Sequence, residues 1–92
     1  MLKLDYEALG EAAKTLSEQG ATFEDCISKM STVVDGLPDI WEAETCNRYV
    51  EQFGETKPIL TEVRQLIEDL SVQMQKISDN FADADSSMAG QM

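Results

Sequence analysis

Acidic side chains are the most numerous candidates for chemistry in this chain of 92 residues, which has 18 Asp and Glu and no His. Neighbouring pairs such as Glu24–Asp25 and Glu68–Asp69 are residue types that serve as general acids and bases. That chemistry needs a pocket that shifts a pKa, and these pairs fall outside the apolar repeat, where we expect solvated surface. The sequence also has no glycine-rich phosphate loop and no nucleophile elbow, so we expect no enzyme and no cofactor.

The two cysteines, Cys26 and Cys46, stand alone in the sequence. With no CxxC motif and no histidine, metal binding has no support. The two positions are also out of step across the helical hairpin predicted below, so we expect no disulfide within the chain.

Two further sets of residues suggest recognition rather than catalysis. Trp41 is the only tryptophan, and an indole at a turn can anchor the edge of a helical bundle and present its N–H to a partner. Phe81 and Asp85 have the spacing of neighbours on one helix face. Simple core packing is an open alternative for both Trp41 and Phe81.

Two helices are predicted to position these residues. On both sides of Trp41, apolar residues recur at alternating steps of three and four residues, which we call the apolar repeat. Such a repeat is typical of helices packed lengthwise with about 3.5 residues per turn. The stripe that we expect to form the core or dimer contact comprises Leu9, Leu16, Phe23, Ile27, Met30, Val34, Tyr49, Phe53, Leu60, Val63, Ile67, Leu70, Met74 and Ile77. Gly20 also falls on this stripe, where it either admits a close neighbour or simply weakens the helix.

Capping signals predict the first helix over about 5–35, starting at Asp5, and a turn over 36–39. Gly36 and Pro38 are the expected stop signals, and Asp39 with Glu42 forms a capping-box pattern for a second helix over about 40–85. The short connection makes the two helices antiparallel neighbours.

Two features modify the second helix. The apolar repeat continues in phase through Pro58, so we predict one helix with a kink over 54–58 rather than two helices. The small and polar residues 86–92 are expected to form a flexible tail. The helical hairpin therefore occupies residues 1–85 of a single domain.

The apolar stripe is wider than one pair of helices needs. Its flanks are extended by Ala12, Cys26, Val33 and Ile40 on helix 1 and by Ile59 and Leu66 on helix 2. So broad a face favours a second layer of helices. The sequence therefore predicts an all-α protein, an antiparallel two-helix hairpin that pairs as a dimer into a four-helix bundle. The net charge of −11 argues against binding to nucleic acid or to an anionic membrane.

The N-terminus lacks the pattern of a cleaved signal peptide, and no apolar run is long enough to span a membrane. We therefore expect a chain made in the cytoplasm, without stable membrane insertion. If it is secreted, the route does not need a cleaved signal peptide.

Taken together, the length, the hairpin, Trp41 at the turn, Pro58 within the second helix and the aromatic-x-x-x-acid pattern near the end resemble the WXG family. These are early-secreted-antigen-like substrates of type VII (ESX/Ess-like) secretion. The family's Trp-x-Gly corresponds to Trp41, Glu42 and Ala43, with Ala in place of Gly, so we expect the second helix to begin before Ala43. Its Tyr-x-x-x-Asp/Glu export motif corresponds to Phe81 and Asp85.

The resemblance implies a homodimer, or a heterodimer with a related chain, exported folded and recognised by an FtsK/SpoIIIE-like ATPase. Export or partner recognition would then fall to Trp41, Glu42, Ala43, Phe81 and Asp85. Two alternatives stay open. One is a cytosolic adaptor that pairs with the N-terminal helices of a larger type VII toxin, and the other is a structural coiled coil with no export role.

Overall fold

The computed structural model describes residues 4–90, with side chains for residues 4–86, and consists of two long helices. Helix α1 spans Tyr6–Ile40 and helix α2 spans Glu44–Gly90. They lie antiparallel in a rod that measures 74 × 19 × 16 Å. The predicted all-α helical hairpin is confirmed.

Asp5 caps the start of α1, as the sequence predicts. Its side chain accepts a hydrogen bond of 3.0 Å from the backbone N–H of Ala8, while its carbonyl accepts the first helical bond from Leu9. The cap satisfies donors at the helix start that have no partner within the helix.

The predicted end of α1 is wrong, because the helix continues past Gly36 and Pro38 to Ile40. Neither residue acts as a stop: no glycine in the described part of the chain has a positive φ, and Pro38 lies on an exposed stretch of the last turn. Continuing the helix keeps Leu37 in phase with Val34, where it is half-buried. Packing against α2 overrides the local stop signals here.

The connection is therefore residues 41–43, not 36–39. Asp39 lies within α1, so the predicted capping box with Glu42 does not form. Helix α2 begins at Glu44 rather than at residue 40, and Ala43 lies in the bend before it. The Ala43 carbonyl accepts the first bond of α2 from Asn47. Since Ala43 does not have a positive φ, this position does not require glycine.

Helix α2 passes through Gly54 and Pro58 as one element and continues to Gly90. The helix therefore extends beyond its predicted end at about residue 85 and includes residues 86–90 of the predicted tail. Residues 91–92 of that predicted tail lie outside the described part of the chain.

The two helices meet along an internal seam of mostly small residues. The buried members are Ala13, Gly20, Ile27 and Ser31 of α1, and Cys46, Ser71 and Ser78 of α2. Short side chains let two helices approach closely. The Ser71 hydroxyl is satisfied within its own helix by the Ile67 and Glu68 carbonyls.

Gly20 is a point of close approach in the internal seam. A Cβ atom at this position would lie 2.9 Å from Ile67 Cγ2 and 2.8 Å from Arg64 Nη1. The Arg64 side chain passes over the glycine and meets Glu24 at 3.3 Å and Glu68 at 3.4 Å. Of the two interpretations of Gly20, the close approach of a neighbour is the one that the structure shows.

Candidate partner and export surfaces

The apolar stripe divides into two sets when the helices pack. Ile27 is buried, and eight other members are half-buried between the helices: Leu9, Leu16, Phe23, Val34, Phe53, Leu60, Ile67 and Met74. The remaining members are exposed: Met30, Tyr49, Val63, Leu70 and Ile77. One hairpin therefore covers only part of the stripe on which it was predicted to fold.

The exposed apolar residues occupy one side of the hairpin. Val63, Leu70 and Ile77 each precede a residue of α2 that faces α1, and Val33 likewise precedes Val34 on α1. One residue turns a helix by about 100°. Because the helices are antiparallel, the same rotation from the contact line points to the same side of the hairpin on both.

We call this side the apolar face and define it by Met30, Val33, Tyr49, Ile59, Val63, Leu66, Leu70 and Ile77, all exposed large hydrophobic residues. Val33 and Leu66 are 67% and 64% exposed. Large hydrophobic residues grouped on one side of a monomer surface mark an interaction site. A groove between the helices at one end of this face is lined by Val34, Leu37, Tyr49 and Phe53, among others.

The opposite side of the hairpin has a different composition. Its groove, about 670 Å³, has a floor of Gly10, Ala13 and Ser71, while its rim carries mainly charged or amide side chains: Glu7, Glu11, Lys14, Glu18, Glu68 and Gln75. Val72 is the exposed large hydrophobic residue that lines this groove. The hairpin thus has an apolar face on one side and charged or amide side chains on the other, which we call the polar side.

The turn end of the hairpin presents an aromatic pair. The Trp41 and Tyr49 rings lie 5.9 Å apart between centroids at an angle of 42°, within the range of favourable aromatic contacts. Trp41 is 39% exposed and the neighbouring Ile40 is 82% exposed. Glu42 is exposed and Ala43 half-buried. Trp41 therefore packs on its own chain on one side and faces solvent on the other.

The open end of the hairpin holds the other predicted recognition residues. Phe81 is exposed, and so is Asp85. The Asp85 carboxylate accepts a hydrogen bond of 3.2 Å from the Tyr6 hydroxyl. This bond, with the nearby negative charge of Asp85, raises the pKa of Tyr6 above its ordinary value.

Within one chain the structure does not bring these two ends together. Trp41, Glu42 and Ala43 lie at the turn, whereas Phe81 lies 37 residues beyond the start of α2, about 55 Å away at 1.5 Å per residue. Tyr6 is the residue that the sequence interpretation missed. It lies seven positions before Ala13, in phase with the internal seam, and that spacing could have revealed it.

Both cysteines are free thiols, Cys26 exposed and Cys46 buried. Over the residues that the structure describes, neither helix contains a segment apolar enough to cross a membrane.

A family model described as "WXG100: Proteins of 100 residues with WXG" matches residues 1–86. The chain belongs to the WXG100 family. This is the family that the sequence pattern resembles, even though the triplet that starts at the only tryptophan, Trp41-Glu42-Ala43, ends in alanine rather than glycine.

Two curated relatives match over nearly their whole length. The chain is 29% identical over 91 residues to the ESAT-6-like protein SAG1039 of Streptococcus agalactiae serotype V, covering 99% of this chain and 95% of the relative. It is 17% identical over 92 residues to Protein YukE of Bacillus subtilis, covering 100% of this chain and 95% of that relative.

The members of this family share a fold and a mode of action. WXG100 proteins are small helical hairpins that are not an enzyme family, and members are secreted as type VII substrates and pair with one another.

Proposed function

We propose that this protein is exported folded, as a dimer, by a type VII (ESX/Ess-like) secretion system and acts through protein–protein contacts. Its mate is a second copy of itself or a related WXG-family chain, and the dimer is recognised by an FtsK/SpoIIIE-like ATPase. Export proceeds without a cleaved signal peptide. The main support for this proposal is the apolar face, because it exposes large hydrophobic residues that a second chain could cover.

The apolar face is long enough for lengthwise packing. It runs along α2 from Tyr49 to Ile77, 28 residues or about 42 Å at 1.5 Å per residue. It also includes Met30 and Val33 of α1. Covering it with a second hairpin gives the four-helix arrangement in which such stripes are buried.

Antiparallel docking of two hairpins explains why the recognition residues lie at opposite ends. The turn of one protomer, with Trp41, then lies beside the chain ends of its partner, with Phe81 and Asp85. The composite surface exists only in the assembled dimer, so export depends on correct pairing. Glu42 and Ala43 form the connection next to Trp41 and are part of the same surface.

The charge of the chain favours a protein partner over nucleic acid. A net charge of −11 repels phosphate backbones and anionic lipid surfaces. The acidic end of α2, with Asp83 and Asp85, suits a recognition site on the ATPase that presents basic side chains.

Alanine substitution at the two ends tests this proposal. We expect Trp41→Ala and Asp85→Ala to leave a helical dimer in solution and to reduce the amount of protein in the culture supernatant, measured by immunodetection against the intracellular pool. Val72→Ala is the matched control on the polar side and should be exported normally. If both end variants dimerise and are exported at the wild-type rate, the proposed composite surface is wrong.

The purified chain distinguishes this function from the adaptor alternative. A substrate that dimerises with itself is folded and stable alone. An adaptor aggregates or unfolds until the N-terminal helices of its client are supplied, which circular dichroism with and without the client would show.

A further inference from the structure

Tyr6, at the start of α1, makes two contacts with α2. Its hydroxyl donates a hydrogen bond of 3.2 Å to the Asp85 carboxylate, and its backbone carbonyl accepts a hydrogen bond from the Ser78 hydroxyl. Both contacts cross from α1 to α2 at the open end of the hairpin. Tyr6 is therefore joined to α2 at two points that are two helical turns apart.

The end of α2 carries acidic residues rather than basic ones. A helix C-terminus carries partial negative charge and is stabilised by basic residues, but the last turn of α2 has none and Asp83 and Asp85 precede it. Helix ends fray. The bond from Tyr6 opposes fraying because it ties Asp85 to the capped start of α1.

We propose that Tyr6 is a positioning residue of the export signal, holding Asp85 in place for the secretion machine. The inference rests on the function proposed above, in which Asp85 is recognised. A neutral hydroxyl suits this role, since it fixes one carboxylate oxygen without neutralising the charge, and leaves the other oxygen for a basic partner.

The experiment compares export of Tyr6→Phe, Ser78→Ala and Asp85→Ala, with the dimer mass measured for each purified variant. Tyr6→Phe removes only the hydroxyl. We expect it to lower export by about two- to tenfold, the range for one lost solvent-accessible hydrogen bond, with the dimer intact. Ser78→Ala removes the other contact to Tyr6, does not touch Asp85, and should be exported normally.

A spectroscopic titration reports the bond itself. In the wild type the pKa of Tyr6 lies above its ordinary value of 10.0 because the protonated hydroxyl is held by Asp85. The bond is fully present below that ordinary pKa and is lost as the pH rises through the raised one. Asp85→Ala should return the Tyr6 titration toward the ordinary value, whereas Ser78→Ala should leave it raised.

The possible outcomes separate this inference from the proposed function. If Asp85→Ala abolishes export but Tyr6→Phe is exported normally, the signal stands and the positioning role is overturned. Equal losses in Tyr6→Phe and Ser78→Ala would also overturn it, because general fraying would then be the cause. Increased export of Tyr6→Phe would mean that the bond masks Asp85. Normal export of Asp85→Ala would remove both the signal and the role of Tyr6.

Discussion

The internal seam and the apolar face of this hairpin differ in how far their side chains are buried. The fully buried positions of the seam are mostly small, as at Ala13, Gly20 and Ser78, and larger side chains such as Phe53 are half-buried beside them. On the adjacent side residues such as Leu70 stay exposed, and each would contribute about 1.5–3 kcal/mol if it were fully buried.

The difference indicates separate tasks for the two regions. Small side chains in the internal seam bring the backbones together and fix the register of the two helices, as at Gly20. Large side chains on the apolar face are exposed and available to a second chain. In the proposed dimer their burial would add to the hydrophobic free energy of the single hairpin.

The largest expected effect comes from placing a charge on the apolar face. Leu70→Asp would bury an unpaired carboxylate in the dimer, at a cost of at least about 3 kcal/mol. The dissociation constant should rise by more than about a hundredfold, measured by sedimentation equilibrium over a concentration series. An unchanged constant would show that Leu70 lies outside the interface.

Val72→Asp is the matched control for this substitution. Val72 is also an exposed large hydrophobic residue of α2, two positions later and on the polar side. We expect its dissociation constant to stay within about threefold of wild type, because surface substitutions usually change free energies by less than about 0.5 kcal/mol. Equal weakening by both aspartates would contradict the assignment of the two sides.

The second prediction compares two glycines that differ only in their surroundings. Gly20→Ala places a Cβ atom against Ile67 and Arg64 in the internal seam, whereas Gly54 has nothing within 4 Å. Both substitutions gain helix propensity, about 0.8–1 kcal/mol, and overpacking offsets this gain at Gly20 by about 1–3 kcal/mol. Gly54→Ala should therefore be the more stable variant in urea unfolding at one protein concentration.

If Gly20→Ala were as stable as Gly54→Ala, the close approach at Gly20 would not be needed for the fold.

The apolar repeat was enough to predict the hairpin and a stripe too wide for two helices, and the residue type of Asp5 was enough to predict the cap of α1. The spacing of apolar residues can be seen in the sequence itself, without knowledge of tertiary contacts. The turn was predicted wrongly because Gly36 and Pro38 are local stop signals, and packing of Leu37 against α2 outweighs them. The Tyr6–Asp85 bond joins positions 79 residues apart, a distance over which no local pattern pairs two particular side chains.

The smallest expected effect concerns charge in the internal seam. The Arg64 side chain is 19% exposed, but its partner Glu24 is 69% exposed, and such ion pairs contribute about 0–1 kcal/mol. Arg64→Lys should lower the free energy of unfolding by less than about 1 kcal/mol and leave dimerisation unchanged. Arg48→Lys at an exposed site is the control. A loss of several kcal/mol at Arg64 would show that the seam depends on its guanidinium rather than on small side chains.

The molar mass of the purified chain in solution tests the central claim most directly. Sedimentation equilibrium at high micromolar concentration should give a species of twice the chain mass of 10.2 kDa, helical by circular dichroism. A well-folded monomer at that concentration would contradict the account, because the apolar face would then be stable in water without a partner.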